Sequence, residues 1–314
     1  MNKRESDSID KKKKAAERET VRLAALIDAN TGTDGTFASR IPGLYLNRFS
    51  RMELSDYVYT MHWPTVGIAA QGTKTITVGQ ETFEYSGSRL SVIPVALPVR
   101  MQTTLASPAE PFLGVGVYLE PRRIAELVPK VYPDGLPSAG KRSASYMLDA
   151  EPELIGAVSR LVGCLDGSDD DGLLASLAID EIFIRLLRSP IGVYVAETVL
   201  AGSDAQRVSK AIAWLQDNFA QSLKIAELAE LVHLSESSFR EYFKSVTSMS
   251  PLQYQKALRL QEARRLMLSG EHDATSACRL VGYISDSQFS RDYSRFFGSP
   301  PSRDIARWKQ ANSF

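Results

Sequence analysis

The chain has 314 residues, 44% of them hydrophobic, with 37 Lys+Arg against 37 Asp+Glu. That apolar share fills ordinary globular cores, the length suits two domains, and the zero charge balance argues neither for nor against nucleic acid. No stretch approaches the roughly 20 apolar residues that span a bilayer, which excludes a membrane-spanning helix.

The first segment, MNKRESDSIDKKKK, is charged and reads as a frayed or disordered tail. No apolar run follows its basic residues, so no secretory signal is expected. The run Lys11–Lys14 reads as solvated rather than as a nucleic-acid contact. A helix is predicted from Lys12 to Ala29, with Ala16, Leu23, Leu26 and Ile27 as its apolar stripe. It ends at the turn-forming TGTDG, 31–35.

Residues 41–120 change character. The runs DYVYTMHW, TVGIAAQG, KTITV, ETFEY, RLSVIPV, PVRMQTTL and PFLGVGVYL alternate with turn residues. KTITV and ETFEY flank Gly79–Gln80, a hairpin signal. Turns about ten residues apart predict an antiparallel barrel or sandwich. Pro121 opens a helix through Val128, and 132–148 reads as loop. Helices are predicted at 152–165 and 172–188. The second is apolar around much of its circumference through Leu174, Leu177, Ile182 and Leu186. It needs burial on more than one side, either on the sheet domain or on a partner subunit. Residues 189–203 read as a linker, and nearly everything beyond is helical. Cys164 and Cys278 lie in apolar helical patterns and read as buried free thiols of a reducing, cytoplasmic protein.

From Asp204 onward there are 15 Lys+Arg and 12 Asp+Glu, against 22 and 25 before it, a mild bias toward a DNA-facing C-terminal region. Within that region a single pattern occurs twice. Ile225, Leu228, Ala229 and Val232 give one short helix an apolar face, His233 and Leu234 turn the chain, and Ser235 caps a second helix. Phe239, Tyr242, Phe243 and Val246 form the inner face of that second helix. Ala274, Ala277, Cys278 and Val281 repeat the first spacing. Gly282, Tyr283 and Ile284 make a turn one residue longer, Ser285 caps, and Phe289, Tyr293, Phe296 and Phe297 form the stripe. Ser235/Ser285, Ser237/Ser287, Phe239/Phe289, Phe243/Tyr293 and Pro251/Pro301 all pair at an offset of 50. Both units are helix-turn-helix patterns.

With the aromatic faces inward, the outward residues become candidate DNA contacts. They are Ser237, Ser238, Arg240 and Lys244 in the first unit, and Asp286, Ser287, Gln288, Arg291 and Arg295 in the second. Arg and Gln can form paired hydrogen bonds with guanine and adenine edges. A solvated helix face would show similar residues. Between the units, PLQYQKALRLQEARRLMLSG places Leu252, Leu260, Ala263, Leu266 and Met267 on one side. Tyr254, Ala257, Leu258 and Leu268 lie on the other, as expected of a helix clamped between two subdomains. About 18 residues give roughly 27 Å, a strut comparable with the ~34 Å between successive major-groove faces.

On LAELVHLSESSFREYFK, SPLQYQKALRLQEARRLM and VGYISDSQFSRDYSRFFGSPP, the region 204–310 resembles the DNA-binding domain of the AraC/XylS family of bacterial transcription regulators. Cys278 stands where that family usually has Ala, and Glu241 where it has a basic or neutral residue. IPGLYLNR, GIAAQGTKTITVGQETFEY and ALPVRMQTTLASPAEPFLGVGVYL resemble the cupin-type sensor domain of one branch. The resemblance implies an α+β architecture. It comprises an N-terminal tail and helix (1–40), a cupin-like antiparallel domain (41–148), a helical linker with a dimer contact (149–203), and an all-α domain with two helix-turn-helix units (204–314). The implied partners are double-stranded DNA, a small-molecule effector, RNA polymerase and a second copy of the chain.

Two other functions compete. Metal cupins use a close His pair with a carboxylate and a further His, whereas this chain has only His62, His233 and His272. His62 alone falls in the sheet region and reads as a strand residue, so no enzyme, metal or cofactor is expected. A non-enzymatic adaptor using the helical repeats for protein contacts would bind DNA weakly and without sequence preference.

Overall fold

The computed structural model describes residues 3–52, 58–79, 81–138, 146–167 and 171–311. Its strands are β1 (Gly35–Ala38), β2 (Leu44–Phe49), β3 (Val58–His62), β4 (Thr65–Gln71), β5 (Thr73–Val78), β6 (Glu81–Ser86), β7 (Arg89–Ile93), β8 (Leu97–Leu105), β9 (Phe112–Tyr118) and β10 (Tyr146–Asp149). They form a six-stranded sheet in the order β1-β2-β9-β4-β7-β10 and a four-stranded sheet in the order β3-β8-β5-β6. The pairings are antiparallel. The two sheets remain separate, so the sandwich alternative holds and not the closed barrel.

The hairpin forms as expected, with Val78 paired to Glu81 across a turn at Gly79, whose φ is 61°. Gln80 of that turn lies outside the described residues. So do Asp56 and Tyr57 of the first expected strand, and 139–145 of the expected loop.

Strand alternation places Leu44, Leu46, Val66, Ile68, Val115 and Val117 on the outer face of the larger sheet. Helices α1 (Lys3–Ala29), α2 (Pro121–Val131), α3 (Pro152–Gly163), α4 (Asp171–Leu187) and α5 (Gly192–Val199) bury that face. Leu23 and Ile27 of α1, Ile155 of α3 and Ile182 of α4 are each 0% exposed within this cluster. On the inner side, buried Lys74 lies 3.7 Å from the Phe49 ring centroid and 4.7 Å from that of Phe112. Cation–π contact offsets part of the cost of burying that ammonium.

Several expectations need correction. The first helix starts at Lys3, not Lys12, so the segment before it is helix rather than disordered tail. Strands β1 and β2 precede the expected start of the sheet or lack a clean alternation, and residues 146–149 of the expected loop form β10 on the β7 edge. The expected linker contains α5, because Val195 and Ala196 are 1% and 0% exposed in the helical core. The chain doubles back so tightly there that a Cβ on Gly192 would lie 1.8 Å from the Leu187 carbonyl oxygen. Cys164 is half-buried, since the helix face it occupies lies at the margin of that core; only Cys278 is fully buried.

Helices α6 (Asp204–Asn218), α7 (Ile225–Leu231), α8 (Glu236–Thr247), α9 (Pro251–Leu268), α10 (Ala274–Leu280), α11 (Asp286–Phe297) and α12 (Pro301–Ala311) complete the chain. Helix α9 divides two cores. Tyr254 and Leu258 pack with α6, α7 and α8, while Leu260, Ala263 and Met267 pack with α10 and α11. Leu252, expected on the buried side, is 54% exposed, because it lies in the first turn, before the second core begins at Leu260.

No sequence pattern indicates that the first core is continuous with the sandwich. Ile76, Val78, Val95, Leu97 and Val99 share a cluster with Val208, Phe239, Phe243 and Tyr254. The Tyr254 hydroxyl donates to the Ala96 carbonyl at 2.8 Å. The Gly79 turn abuts Ser248 at the end of α8: a Cβ on Gly79 would come within 3.0 Å of the Ser248 Cβ.

Candidate nucleic-acid interface

Equivalent local chemistry places α8 and α11. Ser235 is extended and its Oγ accepts from the Ser238 N–H at 3.2 Å; Ser285 does the same for Gln288 at 3.3 Å. Each bond satisfies a donor that a helix start leaves open. The turns before them pass through left-handed residues, His233 (φ 56°) and Gly282 (φ 83°). Both helices also end in left-handed residues, Ser248 (φ 58°) and Gly298 (φ 79°). Asp273 caps α10 by accepting from the Ser276 N–H at 2.7 Å, and that hydrogen bond holds its carboxyl below the usual range.

The inner faces are closed. Phe239 meets Phe243 and Phe243 meets Tyr254 edge-on, with ring centroids 5.5 Å apart in each pair. In the second unit the chain of rings runs Tyr283–Phe289–Tyr293–Phe297, at 5.4, 5.6 and 4.5 Å. Cys278 fills the remaining space, and burial, with a hydrogen bond to Asp286, pushes its thiol up to about 11.

Consequently the opposite faces are open. Ser237, Arg240 and Lys244 on α8 are exposed, and Ser238 is half-buried at the margin. Asp286, Ser287, Gln288, Arg291 and Arg295 on α11 are exposed. Among the described residues, Lys244, Gln288, Arg291 and Arg295 have no side-chain hydrogen bond or ion pair within the chain. Arg240 pairs with Glu236 at 2.9 Å, an exposed contact worth little and easily exchanged. Glu241 is exposed beside it, so α8 presents mixed charge while α11 presents a basic excess. The nine residues thus form two groups, each on one helix over its own core.

The ties that fix the second helix lie outside the repeat pattern. Arg264 of α9, 8% exposed, donates to Asp304 of α12 at 2.7 and 3.3 Å, and the Tyr293 hydroxyl donates to the same carboxylate at 2.7 Å. Burial and the carboxylate both push the Tyr293 hydroxyl to higher pKa. Lys256 pairs with Asp292 at 3.0 Å, a second tie from α9 to α11. One signal for them exists in the sequence: Arg264 falls within the apolar stripe Leu260–Ala263–Met267, where a charge needs a buried partner.

Away from these helices, a concavity of about 550 Å³ lies between α4, β9 and the segment entering β2. Ile41, Val117, Ile179 and Phe183 make its walls apolar; Tyr118, Glu120 and Arg123 supply polar groups. Arg123 crosses from α2 to α4, donating to Asp180 at 2.6 Å and to the Ser176 hydroxyl at 2.8 Å. Just outside, Leu173, Leu174 and Leu177 of α4 are 71%, 54% and 56% exposed. Among the described residues no His/Cys/Asp/Glu group could hold a metal ion, and no helix is long and apolar enough to cross a membrane.

Comparison with known proteins bears on both halves. Residues 40–194 match the family model of the AraC-type transcriptional regulator N-terminus, and 228–307 match a helix-turn-helix domain model. The virulence regulon transcriptional activator VirF of Yersinia enterocolitica is 26% identical over 159 residues, 50% of this chain and 58% of that protein. The HTH-type transcriptional activator RhaS of Yersinia pestis is 26% identical over 155 residues, 49% of this chain and 55% of that one. The chain thus spans a little over half the length of the curated relatives it matches. Apo ToxT of Vibrio cholerae superposes with a TM-score of 0.57 at 11% identity, covering 85% of this chain and 98% of that one. An unsaturated fatty acid-bound ToxT does so at 0.54 and 11%, covering 86% and 97%. Those two likenesses concern the fold.

Proposed function

The chain belongs to the AraC-type transcriptional regulators, and from that premise we propose that it binds DNA sequence-selectively through α8 and α11, each reading one stretch of a single duplex. One observation carries this reading: two helices started and ended by equivalent residues hide their aromatic faces and leave Ser237, Arg240, Lys244, Gln288, Arg291 and Arg295 open. Arg291 and Gln288 are suited to paired contacts with guanine and adenine edges, while Lys244 and Arg295 suit phosphate. Ser237, Ser238, Asp286 and Ser287 lie in the first turns, where side chains enter the groove first.

VirF and RhaS are activators by name, and we carry activation, through RNA polymerase, over to this chain. One ToxT structure holds an unsaturated fatty acid. For this chain the effector is proposed to be a small molecule, and the apolar cavity beside α4 has a volume typical of such sites. A second copy of the chain is proposed to cover Leu173, Leu174 and Leu177. A soluble, cytoplasmic, non-enzymatic role completes the reading.

Arg291→Ala tests it. If Arg291 reads a base, the variant loses roughly 1–3 kcal/mol at one position of the site and relaxes preference there. An equal loss on every sequence would make Arg291 a phosphate contact. Wild-type binding without any sequence preference would favour the adaptor instead.

A further inference from the structure

The two units have separate cores, so their relative angle depends on how each is fixed to α9 and to the other. Phe219, just past α6, packs at the margin of both clusters. Around it lies a dense knot of polar contacts. Arg259, midway along α9, donates through Nε to the Phe219 carbonyl at 2.7 Å and through Nη2 to those of Ala220 (3.2 Å) and Gln221 (2.7 Å). Its Nη1 reaches the other way, to the Gly282 carbonyl at 3.0 Å, in the turn of the second unit. One turn earlier on α9, Gln255 donates to the Phe219 and Gln221 carbonyls at 2.9 and 2.8 Å. The backbones meet closely here: a Cβ on Gly282 would lie 2.0 Å from the Ala220 oxygen.

We infer that Arg259 is a positioning residue that locks the turn of the second unit to the exit of α6, and so fixes the angle between α8 and α11. The planar five-donor guanidinium suits this task. It addresses four carbonyls on two segments at once, which a lysine ammonium with three donors on a flexible stem cannot do. Carbonyls at the C-terminal end of α6 also carry the negative end of its dipole, which favours a cation there. A fixed angle means that both units engage only DNA whose two subsites have one spacing. With the lock released, each helix keeps its own core and its own contacts, but the second binding event loses its pre-set geometry.

This rests on the DNA-reading proposal for its consequence, not for its geometry, and two measurements separate them. In the full chain with Cys164→Ser and Cys278→Ala, spin labels at Glu241→Cys and Arg295→Cys report the distance between α8 and α11. Arg259→Met should broaden a narrow distance distribution, and Arg259→Lys should give an intermediate one. An unchanged narrow distribution in Arg259→Met overturns the inference, whatever the DNA result. In unlabelled protein, affinity is compared for the selected site and for the same site with one base pair inserted between subsites. Arg259→Met should lose about tenfold on the selected site and show less discrimination against the insertion, with binding to a single subsite unchanged. Equal discrimination in variant and wild type overturns the link to spacing. A wild type indifferent to sequence refutes the DNA-reading proposal while the distance result stands.

Discussion

Removing the carboxylate at Asp304 tests how the second unit is held. Asp304 is 6% exposed and accepts three hydrogen bonds, two from Arg264 and one from Tyr293. Asp304→Ala leaves the Arg264 guanidinium buried without a counter-charge, a loss of roughly 3–5 kcal/mol, and orphans the Tyr293 hydroxyl as well. These costs overlap, so the lower figure, about 3 kcal/mol, is the safer expectation. At about 1.4 kcal/mol per factor of ten, that raises the opening equilibrium of α11 by roughly 150-fold. Amide hydrogen exchange followed by mass spectrometry reads this directly, because protection reports local opening. Peptides from 286–297 should exchange about two orders of magnitude faster, while those from 236–247, over a separate core, should not change. The triple variant Arg264→Met, Tyr293→Phe and Asp304→Leu should recover most of the protection, since apolar groups of similar volume carry no desolvation penalty and leave no hydroxyl orphaned. A rise below about tenfold in the single variant, or equal loss in both helices, would refute this account of the second core.

Ser235→Ala and Ser285→Ala should each cost about 1 kcal/mol through the lost cap; in the double variant, urea midpoints should show the two losses adding, as expected of separate cores. Tyr254→Phe removes the hydroxyl that meets Ala96 and should cost about 1 kcal/mol; an unchanged midpoint would deny that bond any net weight. The Asp273 carboxyl is held below its ordinary value by the Ser276 amide. Its folded pKa is therefore lower than its unfolded one, so the cap contributes above the unfolded value of about 3.9 and is lost as pH falls through the folded one. The Ser276 amide shift in NMR should titrate below pH 3.9; a midpoint at or above that value would contradict the cap.

The helical third was legible because its signals are local. A Ser cap, a turn and aromatics at helical spacing all act within twelve or so residues, and the repeat doubled each of them. The strands that alternate cleanly were legible for the same reason. What stayed hidden depends on partners far along the chain. β10 exists because β7 offers an edge, and α5 because the core left by α3 and α4 has room for Val195 and Ala196. The docking of Tyr254 on Ala96 joins residues 158 apart, and no periodicity reports it. In the candidate interface, the outward positions followed from the inward ones, whereas the ties made by Arg259 and Arg264 required knowing which carbonyls and carboxylates lie opposite α9.

That two matched helices read one duplex together is tested by selecting bound genomic fragments with the purified full chain at two salt concentrations. The expected product is a site with two informative blocks about one helical turn apart, near 10–10.5 base pairs centre to centre, whose affinity falls steeply with salt. Fragments enriched without a common sequence, or sharing only one short block, would contradict it.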